Sequence, residues 1–241
     1  MTEFNKTDRE KRENSAVMLG RRRLGKNIFL PMPVTLIGTK IGDQVNFMTA
    51  GWVSRVNAEP PRIGVAVNRT HISADAILET GKFSICLPGH DYLGKVDQCG
   101  VLSGRDFDKS EIFTTFYGVL GDVPMALECP VCIECTLHET VKGESNYFFI
   151  GNIEAVHADP NCLSGQATVD PEMAGFIMLT MPDNRYWNLG MEIGRAWSLG
   201  KQIPLPPALG NVDDSDQIPH DSSIENSIDN SLENRDFYDE A

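Results

Sequence analysis

The chain has 241 residues, 41% of them hydrophobic, and 34 acidic against 21 basic side chains give a net charge of −13. That charge excludes nucleic acid as a default partner, and no apolar run reaches the roughly 20 residues that span a bilayer. Residues 1–14 are charged throughout, unlike a secretory leader, so a cytoplasmic protein is expected.

In chain order, 1–20 reads as a polar, mobile extension. Arg21-Arg22-Arg23 reads as a solvated basic loop rather than an anion contact. Pro31-Met32-Pro33 bars a helix, and the β-branched run Val34 to Thr39 predicts a strand. Ile41-Gly42-Asp43 turns it back into a short strand, Gln44 to Phe47. Small and hydroxyl residues follow: Thr49, Ala50, Gly51, Trp52, Val53 and Ser54. Pro60-Pro61 turns the chain, and Arg62 to Val67 reads as a buried strand opening into Asn68-Arg69-Thr70-His71. Ser73 stands where an N-cap would start a helix over Ala74 to Thr80.

Phe83 to Leu87 is a further apolar strand, and His90 to Gly100 fits one helix with Leu93 and Val96 on a shared face. Ser103 to Lys109 is dense in charge. Phe107, Phe113, Phe116 and Tyr117 form an aromatic run that suits packing. Glu128 to His138 and Tyr147 to His157 are long strands joined around Lys142-Gly143. The second is apolar on both faces near its start and should lie centrally. Phe176 to Met181 is a last short strand. Leu189, Ile193, Ala196 and Trp197 give Tyr186 to Leu199 a helical spacing, and the Pro-rich 204–207 stretch ends the fold. Residues 208–241 form an acidic tail that repeats Ser-Ile-Glu-Asn, Ser-Ile-Asp-Asn and Ser-Leu-Glu-Asn and reads as disordered and solubilising. From 211 onward ten acids stand against Arg235, so −9 of the −13 is confined there.

Six cysteines occur, and a cytosolic chain would keep them reduced. Cys129, Cys132 and Cys135 have cluster-like spacing, but Glu139 stands where a fourth ligand belongs. Strand alternation puts Cys129 and Cys135 on one face and Cys132 on the other, which predicts buried packing residues. A metal site using these cysteines and His138 is the weaker reading.

Two strand ends therefore deliver hydroxyls, backbone N–H groups, an Arg and a His to one region, and a helix start adds its positive end. That chemistry suits a phosphate, and Gly51-Trp52 suits a flat ring. The TAGWVS stretch, the PP turn, the polar strand end with its Ser-led helix and GKFSICLP resemble the flavin reductase-like, FMN-binding split-barrel family, in its flavoredoxin branch. CGVLSGRDFDK (99–109), ECPV with Glu134-Cys135, and YWNLG (186–190) extend the resemblance over about Leu30 to Lys201.

The resemblance implies a mainly β protein, an antiparallel Greek-key split β-barrel with a few flanking helices, occupying 21–207 as one domain. It implies FMN as cofactor, held outside the small barrel and covered by a second subunit in a homodimer. Thr49 and Ser54 would offer hydroxyls, Ala50 to Ser54 their backbone N–H groups, and Trp52 a surface beside the ring. Asn68, Arg69, His71 and Ser73 would hold the phosphate, and Arg105 and Lys109 would stand further out, the 103–109 loop near the partner's flavin. Asn146 replaces a His often found in related chains. The function implied is electron transfer from reduced nicotinamide, NAD(P)H, or a redox protein through FMN to an acceptor. The alternative is a flavin carrier or interaction protein without turnover, docking through its acidic tail.

Overall fold

The computed structural model describes residues 20, 24–27, 29–165 and 168–204. Residues 1–19, Arg21 to Arg23 and the acidic repeats lie outside that set. The chain divides into two compact units, Met1–Gly190 and Met191–Ala241. The described part of the second holds one 3-10 turn, Leu199–Gln202.

In the first unit the strands are β1 (Phe29–Pro33), β2 (Thr35–Ile41), β3 (Gln44–Ala50), β4 (Val53–Asn57) and β5 (Arg62–Asn68). Helix α1 (Ile72–Thr80) leads into β6 (Lys82–Leu87), and a 3-10 turn at His90–Tyr92 leads into α2 (Leu93–Val101). Then come β7 (Thr115–Phe116), β8 (Met125–Ala126), β9 (Val131–Lys142) and β10 (Asn146–Ala158). A single helical turn, α3 (Pro171–Ala174), precedes β11 (Ile177–Met181) and β12 (Arg185–Asn188). Seven strands pair in the order β3-β2-β6-β9-β10-β5-β4, every neighbour antiparallel. As expected, β10 lies centrally, between β9 and β5.

Both faces of this sheet are apolar because each is covered. One face buries Ile37, Met48, Val65, Phe83, Phe149 and Ile77 of α1 in a single cluster. The cluster draws side chains from β3 at one end of the strand order and β5 near the other, which is the curl of a barrel with α1 packed against it. The interior is tight. A Cβ on Gly151 would stand 2.6 Å from the Phe83 ring, so no other residue fits there without displacing the core. The opposite face buries Leu36, Val45, Phe47, Cys86, Val96 of α2, Phe113 and Met125.

All six cysteines are free and buried. Cys132 and Cys135 point into opposite clusters, as strand alternation requires. Cys129 precedes β9 and so escapes the alternation, joining Cys132 and Cys86 rather than Cys135. Among the described residues no group of three His, Cys, Asp or Glu side chains is arranged to hold a metal ion.

Glu134 of β9 is fully buried. Its carboxylate accepts from Val119 N at 2.8 Å and Leu120 N at 3.0 Å, and His157 Nε2 stands 2.9 Å away. Burial pushes its pKa up. The hydrogen bonds from His157 and the two backbone N–H groups outweigh that and hold it below the ordinary carboxylate value.

The helix expected over 186–199 is not formed. Tyr186 and Trp187 belong to β12 and pair with Leu179 and Met178 of β11. The apolar spacing is real, but glycines at 190 and 194 weaken the helix, and an open β11 edge takes the first residues instead.

Candidate functional site

β3 runs past Phe47 to Ala50, so Thr49 and Ala50 are paired with Leu36 and Thr35. The chain leaves the sheet at Gly51 and rejoins it at Val53. Thr49 donates its hydroxyl hydrogen to Val96 O of α2 in a short hydrogen bond. That proton is therefore spent inside the fold, although the oxygen can still accept. Ala50 is buried. Trp52 is 45% exposed, and its carbonyl is fixed by Ala66 N at 3.0 Å. Val53 is half-buried, and Ser54 is exposed with its hydroxyl on Arg55 O. The stretch thus presents an indole and a row of backbone groups.

At the end of β5, Asn68 Oδ1 accepts from Thr70 N and Thr70 Oγ1, and the chain is turned toward α1. The helix begins at Ile72, with His71 as the N-cap in an extended conformation and no side chain capping the first turn. This corrects the expected start. Ser73 lies inside the helix, 1% exposed, and its hydroxyl accepts from Asn46 Nδ2 at 2.9 Å. Sequence reasoning placed the cap by residue type. The fold uses that serine to tie α1 to β3 and leaves the first N–H groups of the helix without a side-chain acceptor.

Cations gather around this uncapped end. Arg69 lies 5.3 Å over the Tyr147 ring and donates to Glu144 O at 3.2 Å. Arg105 donates to Thr70 O at 3.2 Å and pairs with Asp75, in the first turn of α1, at 2.5 Å. His71 Nδ1 stands 3.0 Å from Met48 Sδ. Burial lowers the His71 pKa, and the positive charges of Lys109 and Arg105 lower it further. Lys109 is not an outer residue. It is 3% exposed, and its ammonium donates to Phe47 O at 3.1 Å and Cys99 O at 2.8 Å. Burial pushes its pKa down. Asn146 sits opposite Asn68 across β10 and β5, so the position where related chains often carry a His borders the corner.

The structure therefore brings Asn68, Arg69, His71, Arg105 and Lys109 to one end of α1. The 49–54 stretch occupies the turn from β3 to β4, with Met48 linking the two regions through His71. Ser73 faces inward. Asn46 and Met48 were not among the sequence candidates. The available signal was an amide, Asn46, between the apolar Val45 and Phe47 of β3.

The family model described as "Flavin reductase like domain" matches residues 27–177, and the chain belongs to that family. It is similar to the crystal structure of a flavoredoxin from Methanosarcina acetivorans, at 42% identity over 76% of this chain and 98% of that one, with a TM-score of 0.74. It is also similar to a flavoredoxin of Desulfovibrio vulgaris (Miyazaki F), at 29% identity over 75% and 99% of the two chains, with a TM-score of 0.71. An uncharacterized protein of Archaeoglobus fulgidus is 30% identical over 48% of this chain and 68% of its own length. The split-barrel architecture and a flavin-binding redox function follow from this membership.

Proposed function

We propose that this flavin reductase-like protein binds FMN with its phosphate at the start of α1, and passes electrons from a reduced nicotinamide or protein donor through it to an acceptor. One observation carries the reading. The first turn of α1 has no side-chain cap, His71 stands at its N-cap, Arg105 reaches its Asp75, and the charges of Arg105 and Lys109 act on His71. The Asp75 carboxylate in that turn is engaged by Arg105, so the helix end is left short of an acceptor of its own. A terminal phosphate supplies the oxygens that the helix N–H groups need, and Arg69 and Arg105 are suited to bind it. The flavin ring, when bound, supplies the two-electron chemistry. Trp52 and the backbone of Thr49 to Ser54 would orient the ring and ribityl chain. The two solved flavoredoxins similar to this chain support a flavin as the ligand.

Flavin-free protein titrated with FMN, FAD and riboflavin, followed by flavin fluorescence, tests the binding. FMN should bind at least about a hundredfold more tightly than riboflavin, the worth of two hydrogen bonds to a charged group at the low end of their range. Equal affinities would remove the phosphate from this corner. Anaerobic mixing of the FMN-loaded protein with NADH or NADPH should bleach the flavin band if nicotinamide is the donor. An unchanged band with both would leave a protein donor.

A further inference from the structure

Asn46 touches three elements at once. It lies on β3, 3% exposed. One Nδ2 hydrogen goes to Ser73 Oγ of α1 at 2.9 Å, and the other points to Thr39 Oγ1 of β2 at 3.4 Å. Its Oδ1 is buried and has no N–H or O–H partner. What faces that oxygen is the 103–109 loop. A Cβ built on Gly104 would stand 2.2 Å from Oδ1 and 3.0 Å from Ile72 Cγ2. The hydrogen that takes the place of that Cβ therefore points at Oδ1, a weak C–H···O contact.

A buried amide left short of a partner is a poor choice for packing alone, and an apolar residue would fill the same space without the unmet carbonyl. Its neighbours explain it. The loop seated on Asn46 carries Arg105, which reaches Thr70 O and Asp75, and it ends in Lys109, bonded to Phe47 O beside Asn46. The same amide fixes the second residue of α1 through Ser73. It thus sets the separation between the loop that carries Arg105 and the helix end that Arg105 accompanies.

We infer that Asn46 and Gly104 form a positioning pair for the anion corner. Asn46 registers α1 and the 103–109 loop against β3, and Gly104 is the contact through which the loop is seated. The inference rests on the flavin-phosphate reading, and its test separates the two.

The probes are FMN and riboflavin, and the quantity read is the ratio of their dissociation constants. Gly104→Ala pushes a methyl against an amide held through both of its N–H groups. It should cut the FMN preference about tenfold or more while leaving riboflavin binding within about twofold. In Asn46→Ala the obstacle is gone, so adding Gly104→Ala to it should cost no further preference, a coupling that unrelated sites would not show. If wild-type protein does not prefer FMN, the phosphate reading fails. If wild-type does, and Gly104→Ala keeps the full preference or the two changes simply add, the positioning pair is overturned while the phosphate reading stands. Should Asn46→Ala not fold, Gly104→Ala decides alone, because its loop is a surface segment. An equal loss for both flavins in that variant would also overturn the inference, since it would mean general damage.

Discussion

If the phosphate of FMN binds at the start of α1, as proposed, His71 should make that binding proton-linked. In the ligand-free protein its pKa is held below 6.5, by burial first and then by Lys109 and Arg105. Of the two cations, Arg105 is also paired with Asp75 in the first turn of α1. A bound phosphate would reverse the balance and raise the pKa. The complex then holds a proton that the free protein lacks, so affinity rises as pH falls from the bound pKa to the free pKa. Each unit between the two is worth about tenfold. The second ionisation of the phosphate itself, near 6, works in the opposite sense and caps the gain at lower pH. The assay is FMN titration by fluorescence quenching from pH 8.5 to 5.5, with riboflavin as the control. FMN affinity should climb as pH falls toward about 6 while riboflavin stays flat, and His71→Asn should flatten the FMN curve. The ligand-free protein has the complementary behaviour. With the native pKa depressed, the unfolded chain binds more protons below 6.5, so stability contributed by the neutral His71 is lost as pH falls through that value. An FMN profile identical in wild-type and His71→Asn would refute the argument.

Other outcomes follow from the same contacts. Ser73→Ala leaves a buried Asn46 N–H without an acceptor and should cost about 1–3 kcal/mol of stability, read as a lower midpoint in urea. An unchanged midpoint would mean that Asn46 finds another partner. Glu134→Leu should strand the N–H groups of Val119 and Leu120 and lower the melting temperature more than Glu128→Leu does. Because the native Glu134 pKa is depressed, its stabilisation is present above about 4.5 and is lost as pH falls below that value, so wild-type should soften in acid more than Glu134→Gln does. We also expect a homodimer by light scattering, with the exterior flavin site near the partner, and a monomer with full FMN affinity would refute that arrangement.

Much of the sheet was legible from composition alone. Runs such as VTLIGT and FSICL are apolar on both faces, and the structure buries both, Leu36 in one cluster and Ile37 in the other. Strand ends were harder. Pairing continues through Thr49 because α2 offers Val96 O to its hydroxyl, a partner 47 residues away that local pattern cannot reveal. The direction of charged side chains was harder still. Ser103 to Lys109 is dense in charge, which suits a surface turn as well as a loop beside the flavin, yet Lys109 turns inward because two remote carbonyls, Phe47 O and Cys99 O, converge on it. The cap was misplaced for a related reason. Ser73 has the right chemistry for an N-cap, but Asn46 takes its oxygen.

Why the site sits at a corner, in a chain so acidic, follows from two short-range effects. The barrel interior is filled by Phe83, Phe149, Ile37 and Val65, and at Gly151 it has no room even for a methyl, which supports the proposed flavin position against the outside. There its phosphate meets the local field rather than the net charge, because exposed charges are screened beyond about 8–10 Å. At the start of α1 that field comes from Arg105 and Lys109, whose charges act on His71, with Asp75 already engaged by Arg105. Lys109 matters most in this respect. Its charge is held by carbonyl oxygens, it forms no ion pair among the described residues, and its burial protects it from salt. Raising the ionic strength should therefore weaken the contributions of Arg69 and Arg105 and leave that of Lys109. On this account Lys109→Gln, which keeps a donor for the carbonyls, lowers FMN affinity by the same factor at 0.05 M and 0.5 M salt, whereas the loss in Arg105→Gln shrinks. If salt erased both losses alike, the buried ammonium would have no part in holding the phosphate.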